Sequence, residues 1–136
     1  MELEGRSVLD VGTGSGILAI AAAKRGARRV VGVDTDPLAV KAARDNAARN
    51  GVGVEVTEGS ADGTSGRFDV VLANLVADVL VAVAPDLRAR LAPGGTLVCA
   101  GIIAEKESKV AGALDAFGLR VSGRDQQGDW VRLIAR

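Results

Sequence analysis

Apolar residues gather into short runs separated by polar or glycine-containing breaks. Ser7 to Val11 is nearly continuous and apolar, interrupted by Asp10. Arg29 to Asp34 (RVVGVD), Val54 to Glu58, Phe68 to Leu75 (FDVVLANL) and Thr96 to Gly101 repeat the pattern. Runs of this length, rich in valine and bounded by turn residues, predict strands buried on both faces. Helical spacing lies between them: Ile17 to Arg25 with Gly26 placed to end it, and Pro37 to about Asn50 with Gly51 behind it. Asp36-Pro37 is a helix start, an acid at the cap followed by proline in the first turn.

Further along, Ser60 to Arg67 (SADGTSGR) is loop by composition. Val76 to Leu91 has helical spacing, with Pro85 expected to bend it or begin a second piece. Pro93 to Gly95 reads as a turn, and Ala104 to Phe117 as a helix. Leu119 to Asp125 and Trp130 to Ala135 predict two strands joined at Gln127-Gly128-Asp129, a hairpin signal. Strands alternating with helices imply an α/β fold, a mostly parallel sheet covered on both faces with an antiparallel closing strand. The whole chain, 1–136, reads as one domain.

Composition narrows the chemistry. Lysine plus arginine equals aspartate plus glutamate, 17 of each, so no basic footprint suggests nucleic-acid binding. Histidine is absent, which removes Ser-His catalysis, histidine metal ligands and histidine proton shuttles together. Cys99 is the single cysteine and sits in an apolar strand, a core position rather than a reactive one. The charged start, MELEGRSV, lacks a signal peptide's apolar core, and no run reaches membrane-spanning length. The expectation is a cytoplasmic domain of undetermined oligomeric state.

The chemistry concentrates where the first strand ends. In open parallel sheets, ligands sit beyond the strands' C-terminal ends where strand order reverses. Gly12, Gly14 and Gly16 allow a tight turn and leave backbone bare for a ligand. Asp34, at the end of the second strand, suits the two hydroxyls of a ribose and repels a 2′-phosphate. Two readings fit the spacing. Gly12-x-Gly14-x-Gly16 is the pattern of S-adenosylmethionine (SAM) enzymes, whereas Gly14-Ser15-Gly16-Ile17-Leu18-Ala19 fits the dinucleotide pattern of an NAD-type oxidoreductase. A nucleoside-binding module without turnover is a third. Asp10 leans toward SAM, because an acid attracts a sulfonium and an ammonium but gains nothing beside a pyrophosphate. It can act directly, through water, or by holding the loop.

Five stretches together carry a family resemblance: VLDVGTGSGILAIAAAKRGA, VVGVDTDPLAVKAARDNAARNGV, FDVVLANLVADVL, LAPGGTLVCAGI and GDWVRLIAR. They resemble the catalytic domain of the bacterial class I SAM-dependent methyltransferase that modifies lysines and the N-terminus of a large-subunit ribosomal protein. The resemblance implies a Rossmann-like, seven-stranded sheet with the last strand antiparallel. It implies SAM held by Asp10, Gly12, Thr13, Gly14, Gly16, Asp34, Thr35, Asn74 and the loop Gly59-Ser60-Ala61-Asp62, with Ser60 or Asp62 toward the adenine. Many amino-methylating relatives carry N/D-P-P-Y/F where this chain has Asn74-Leu75-Val76-Ala77. By that correspondence Asn74 and Leu75 are the catalytic candidates, with Asn74 orienting the acceptor amine. No metal is implied.

Members of that family also carry an N-terminal domain that recognises the ribosomal protein, and a segment before the first strand that covers the methionine half of SAM. Six residues precede Ser7 here, so weaker SAM binding and impaired recognition of the ribosomal protein are the expectation. Asp78, one turn beyond Asn74, is placed to attract a lysine or complement its helix dipole. Asp69 is expected on the surface, and Trp130 is expected to pack on the last strand ahead of lying near the rim of the site.

Overall fold

The structure is a computed structural model and describes residues 2–136. Its strands are β1 (Ser7–Val11), β2 (Arg29–Asp34), β3 (Glu55–Glu58), β4 (Phe68–Asn74), β5 (Leu91–Ile103), β6 (Val121–Gln127) and β7 (Trp130–Ala135). The α-helices are α1 (Ile17–Lys24), α2 (Pro37–Arg49), α3 (Ala77–Ala89) and α4 (Glu107–Ala116). All seven strands join one sheet in the order β3-β2-β1-β4-β5-β7-β6. β1 pairs in parallel with both β2 and β4, while β7 runs antiparallel to β5 and β6. The chain winds outward from β1 to β3, then returns to the other side of β1. The order therefore reverses between β1 and β4, where the glycine loop and the end of β4 meet.

Two layers clamp this centre. Leu9, Val11, Val71, Ala73, Leu97 and Cys99 share a core with Leu80, Ala84 and Leu87 of α3 and Val110 and Leu114 of α4. On a separate core, Val8, Val30 and Val70 meet Ala19 and Ala22 of α1. α2 contributes Val40 and Ala43 against Val56. Every residue of β1 is buried, as expected for the central strand of a parallel sheet. The Asp36 side chain accepts the Leu38 N–H, with Pro37 at the first helical position, so α2 starts where its cap chemistry dictates.

Several elements differ from the sequence reading. α3 runs through Pro85 without starting anew; Pro85 is exposed, so water can replace the lost backbone donor. Pro93 to Gly95 does turn, but within β5: Phe68 pairs with Leu91 and Val70 with Thr96, so the intervening residues bulge from a continuing strand. Ala104 to Lys106 form a 3₁₀ turn ahead of α4, and Ala61 to Gly63 form another inside the Ser60 loop. Asp69 is half-buried rather than on the surface, accepting from the Ser7 N–H at 2.9 Å and its hydroxyl at 3.2 Å. Trp130 is 59% exposed, because it begins β7 beside the hairpin turn instead of packing on the sheet. Among the described residues, no helix is long and apolar enough to cross a membrane.

Candidate functional site

The loop between β1 and α1 is stitched to the end of β2. The N–H groups of Gly12 and Thr13 both donate to the Val33 carbonyl at 2.9 Å. Gly12 has φ 75°, and a Cβ there would stand 2.5 Å from Cδ2 of Leu75, so backbone conformation and space both demand glycine. Gly14, at φ 57°, has nothing within 4 Å of its Cβ position: its bare side faces open space. Gly16 rests on Ala43 of α2, and Asn46 one turn later donates to the Ser15 carbonyl at 2.9 Å. Thus α2 braces the loop from behind.

Asp34 fastens the loop from the front. Its Oδ2 accepts the Gly14 N–H at 2.9 Å, and its Oδ1 accepts the Asp36 N–H at 2.9 Å. A carboxylate has about four acceptor sites, so capacity remains on both oxygens for further donors. The Gly59 N–H donates to the Asp34 carbonyl at 2.8 Å and draws the loop after β3 against the same residue.

Beneath the loop lies Asp10, 1% exposed. Its Oδ2 accepts the Thr13 hydroxyl at 2.8 Å, while its Oδ1 has no partner among the described residues. Burial pushes this carboxyl up to about 6, although the hydrogen bond from the Thr13 hydroxyl opposes the rise; the nearby Asp34 charge adds to it. Gly32 makes room for the arrangement, since a Cβ there would lie 2.9 Å from the Thr13 hydroxyl oxygen. The neighbouring charge and the hydroxyl therefore meet because one strand residue has no side chain.

A cavity of about 210 Å³ opens in front of these groups, lined by Val11, Gly12, Asp34, Thr35, Gly59, Ser60, Leu75 and Val79. It brings together Gly12, Asp34, Thr35, Ser60 and Leu75 from the sequence-derived set. Thr13 and Asp10 support it from below, and Ala61 is fully buried behind it. Asp62 is exposed and does not line it. Asn74 faces a separate groove of about 480 Å³ whose walls include Leu18, Leu72, Val98, Ala100 and Arg132. The Asn74 carbonyl oxygen nevertheless lies 3.7 Å from the Gly12 Cβ position, so the residue touches the loop with its backbone. Gly59 belongs to the loop expected beside the adenine, whereas Val11 and Val79 stand outside the sequence-derived set. Asp78 is engaged with Lys106 at 3.3 Å and Lys109 at 3.2 Å, which hold its carboxyl below the usual range. Cys99 is buried, and burial pushes its thiol up to about 12. Among the described residues, no cluster of three His, Cys, Asp or Glu side chains is placed to hold a metal.

Known proteins share this sequence and fold. Residues 1–136 match the family model for ribosomal protein L11 methyltransferase (PrmA). A protein named ribosomal protein L11 methyltransferase from Pelotomaculum thermopropionicum is 54% identical over 135 residues, covering 97% of this chain and 44% of the relative. Its namesake from Geobacter metallireducens is 50% identical over 127 residues, covering 93% and 42%. The chain thus spans less than half the length of these relatives. A solved ribosomal protein L11 methylase from Lactobacillus delbrueckii subsp. bulgaricus superposes with a TM-score of 0.95 at 33% identity, over 98% of this chain and 71% of that one. The 16S rRNA N2 G1207 methyltransferase of T. thermophilus, solved with AdoMet and guanosine, gives 0.79 at 25% identity, over 98% and 38%. These likenesses lend no support to a dinucleotide oxidoreductase or to a binder without turnover. The match to the family model over the whole chain assigns it plainly: it belongs to the ribosomal protein L11 methyltransferase family.

Proposed function

We propose that this chain is the SAM-binding catalytic domain of a protein-amine N-methyltransferase, and that its acceptors are lysine side chains or the N-terminal amine of ribosomal protein L11. The observation that carries the reading is the Asp34 carboxylate. It is fastened to the glycine loop and still open to hydroxyl donors, at the wall of a cavity it shares with Gly12 and Ser60. The residues fit SAM in charge as well as shape. Gly14 leaves open space at the loop, and the unpartnered Asp10 oxygen supplies negative potential beneath it.

When bound, SAM supplies a methyl group made electrophilic by a positively charged sulfur. Asp34 would hold the ribose hydroxyls, and Ser60 and Thr35 would border the base. Asn74 accepts hydrogen bonds from the incoming amine through its side-chain oxygen and its backbone carbonyl, which aligns the nitrogen lone pair for attack. The amine must first be neutral. For a lysine of pKa about 10.4, deprotonation at pH 7 costs about 4.6 kcal/mol at about 1.36 kcal/mol per pH unit. The chain has no histidine and no tyrosine to take that proton, so water receives it. Ribosomal protein as substrate places the reaction in the cytoplasm.

Calorimetric titration with SAM, S-adenosylhomocysteine and NAD tests the binding half, with SAM and its demethylated product expected to bind and NAD not. Incubation with labelled SAM and ribosomal protein L11, followed by mass spectrometry, tests the transfer half. Tighter binding of NAD, or L11 recovered without methyl groups on any amine, would overturn the reading.

A further inference from the structure

We infer that Gly101 is a positioning residue for Asn74: its bare Cα seats the Asn74 side-chain oxygen, so the amide can serve an acceptor amine. The inference rests on the reading of Asn74 given above. Gly101 has φ +83°, and a Cβ built there would stand 2.8 Å from Asn74 Oδ1 and 3.1 Å from the Leu75 carbonyl oxygen. A methyl group at that spot would displace the side-chain oxygen or the turn that carries it.

The strand is shaped around this contact. β4 and β5 stay in register to the pair Asn74 and Ala100, and the Leu75 N–H donates to the Ala100 carbonyl at 3.2 Å. On its other edge, β5 shifts register with β7 between Cys99 and Ile102, which brackets Gly101. The irregularity therefore falls beside the residue whose oxygen needs room, as bulges do where they re-aim a side chain.

Positive φ by itself would explain a glycine, and the same strand holds the comparison that separates the two causes. Gly94 has φ +76° and nothing within 4 Å of its Cβ position. Alanine imposes similar backbone strain at both sites, but only at Gly101 does it meet Asn74.

The test compares Gly101→Ala, Gly94→Ala and Asn74→Ala with the parent chain. In ¹⁵N-correlated NMR spectra, the Asn74 side-chain amide signal, identified by its loss in Asn74→Ala, is expected to move in Gly101→Ala and stay put in Gly94→Ala. An unmoved signal in Gly101→Ala overturns the inference. For methyl transfer from SAM to ribosomal protein L11, Gly101→Ala is expected to fall at least about tenfold, with SAM affinity within about twofold of the parent. Gly94→Ala keeps the parent rate. Loss of activity in Asn74→Ala with full activity in Gly101→Ala also overturns it. Full activity in Asn74→Ala removes instead the catalytic reading of Asn74, and the NMR comparison still decides the placement. Should Gly101→Ala fold poorly, the Asn74→Ala/Gly101→Ala pair decides by stability. Gly101→Ala is expected to lower the unfolding midpoint less in the Asn74→Ala background, and equal losses in both backgrounds would refute the contact.

Discussion

Oδ2 of Asp34 accepts the backbone N–H of Gly14 at 2.9 Å, joining two residues separated by 20 positions in the chain. The acid at the end of β2 thus has a partner within the protein before any ligand arrives, and it holds the loop in the shape a ligand meets. Asp34→Ala is expected to weaken SAM binding twice over, by removing a ribose acceptor and by freeing Gly14. Loss of one such charge-assisted interaction is worth about 1.5–3 kcal/mol, or roughly ten- to a hundredfold in Kd. Titration calorimetry reads this directly, and a thermal midpoint close to the parent's would show that the fold survives. Unchanged affinity would take Asp34 out of the site.

Asp10 makes stability depend on pH. It titrates at about 6 in the folded chain, against an ordinary value of 3.8 once unfolded. Between those values the folded state keeps a proton that the unfolded state has released. Its contribution is therefore most favourable below pH 3.8 and is lost as pH rises through about 6, a change of order 3 kcal/mol. Asp10→Asn retains an acceptor for Thr13 but cannot ionise, so urea unfolding across this range is expected to lose that component of the slope. A slope identical to the parent's would mean that Asp10 is not the group responsible. The same substitution removes negative potential from beneath the loop and is expected to weaken SAM binding.

Gly32 offers a packing test away from the cavity. Gly32→Ala places a methyl 2.9 Å from the Thr13 hydroxyl oxygen, on a strand paired on both sides. Overpacking of this kind costs about 1–3 kcal/mol, to be measured as a lower urea midpoint with an unchanged m-value. Part of the loss is expected to disappear in a Thr13→Ala background, where the hydroxyl is gone.

Cys99 should behave as core. With its thiol raised to about 12 by burial, it carries almost no thiolate at neutral pH. Labelling by an aromatic disulfide reagent is expected to be slow in the folded chain and to speed up in step with unfolding by urea. Rapid stoichiometric labelling under native conditions would place the thiol nearer the surface than the structure has it.

What was legible in the sequence was local. Asp36 and Pro37 announce α2 because a cap and a fixed φ act within one turn, and the apolar run at Arg29–Asp34 coincides with β2 because a doubly covered strand needs no alternation. The meeting of Gly12, Asp34, Thr35 and Ser60 at one cavity was legible too, since a parallel sheet places all its loops of one kind at one end. Other features depend on residues far apart in the chain. Nothing near Asp69 signals that Ser7, 62 positions away, will bond it, and nothing near Gly32 or Gly101 reveals which side chain needs the space. The turn at Pro93–Gly95 was recognised, but pairing with β4 on both sides of it makes it a bulge in β5, and pairing is not a local property.

Asn74 and Leu75 are consecutive, yet Leu75 walls the smaller cavity and Asn74 the larger groove. Two adjacent positions in the chain thus belong to different openings, so a substitution at one is free to reshape its own wall while the lining of the other keeps its residues.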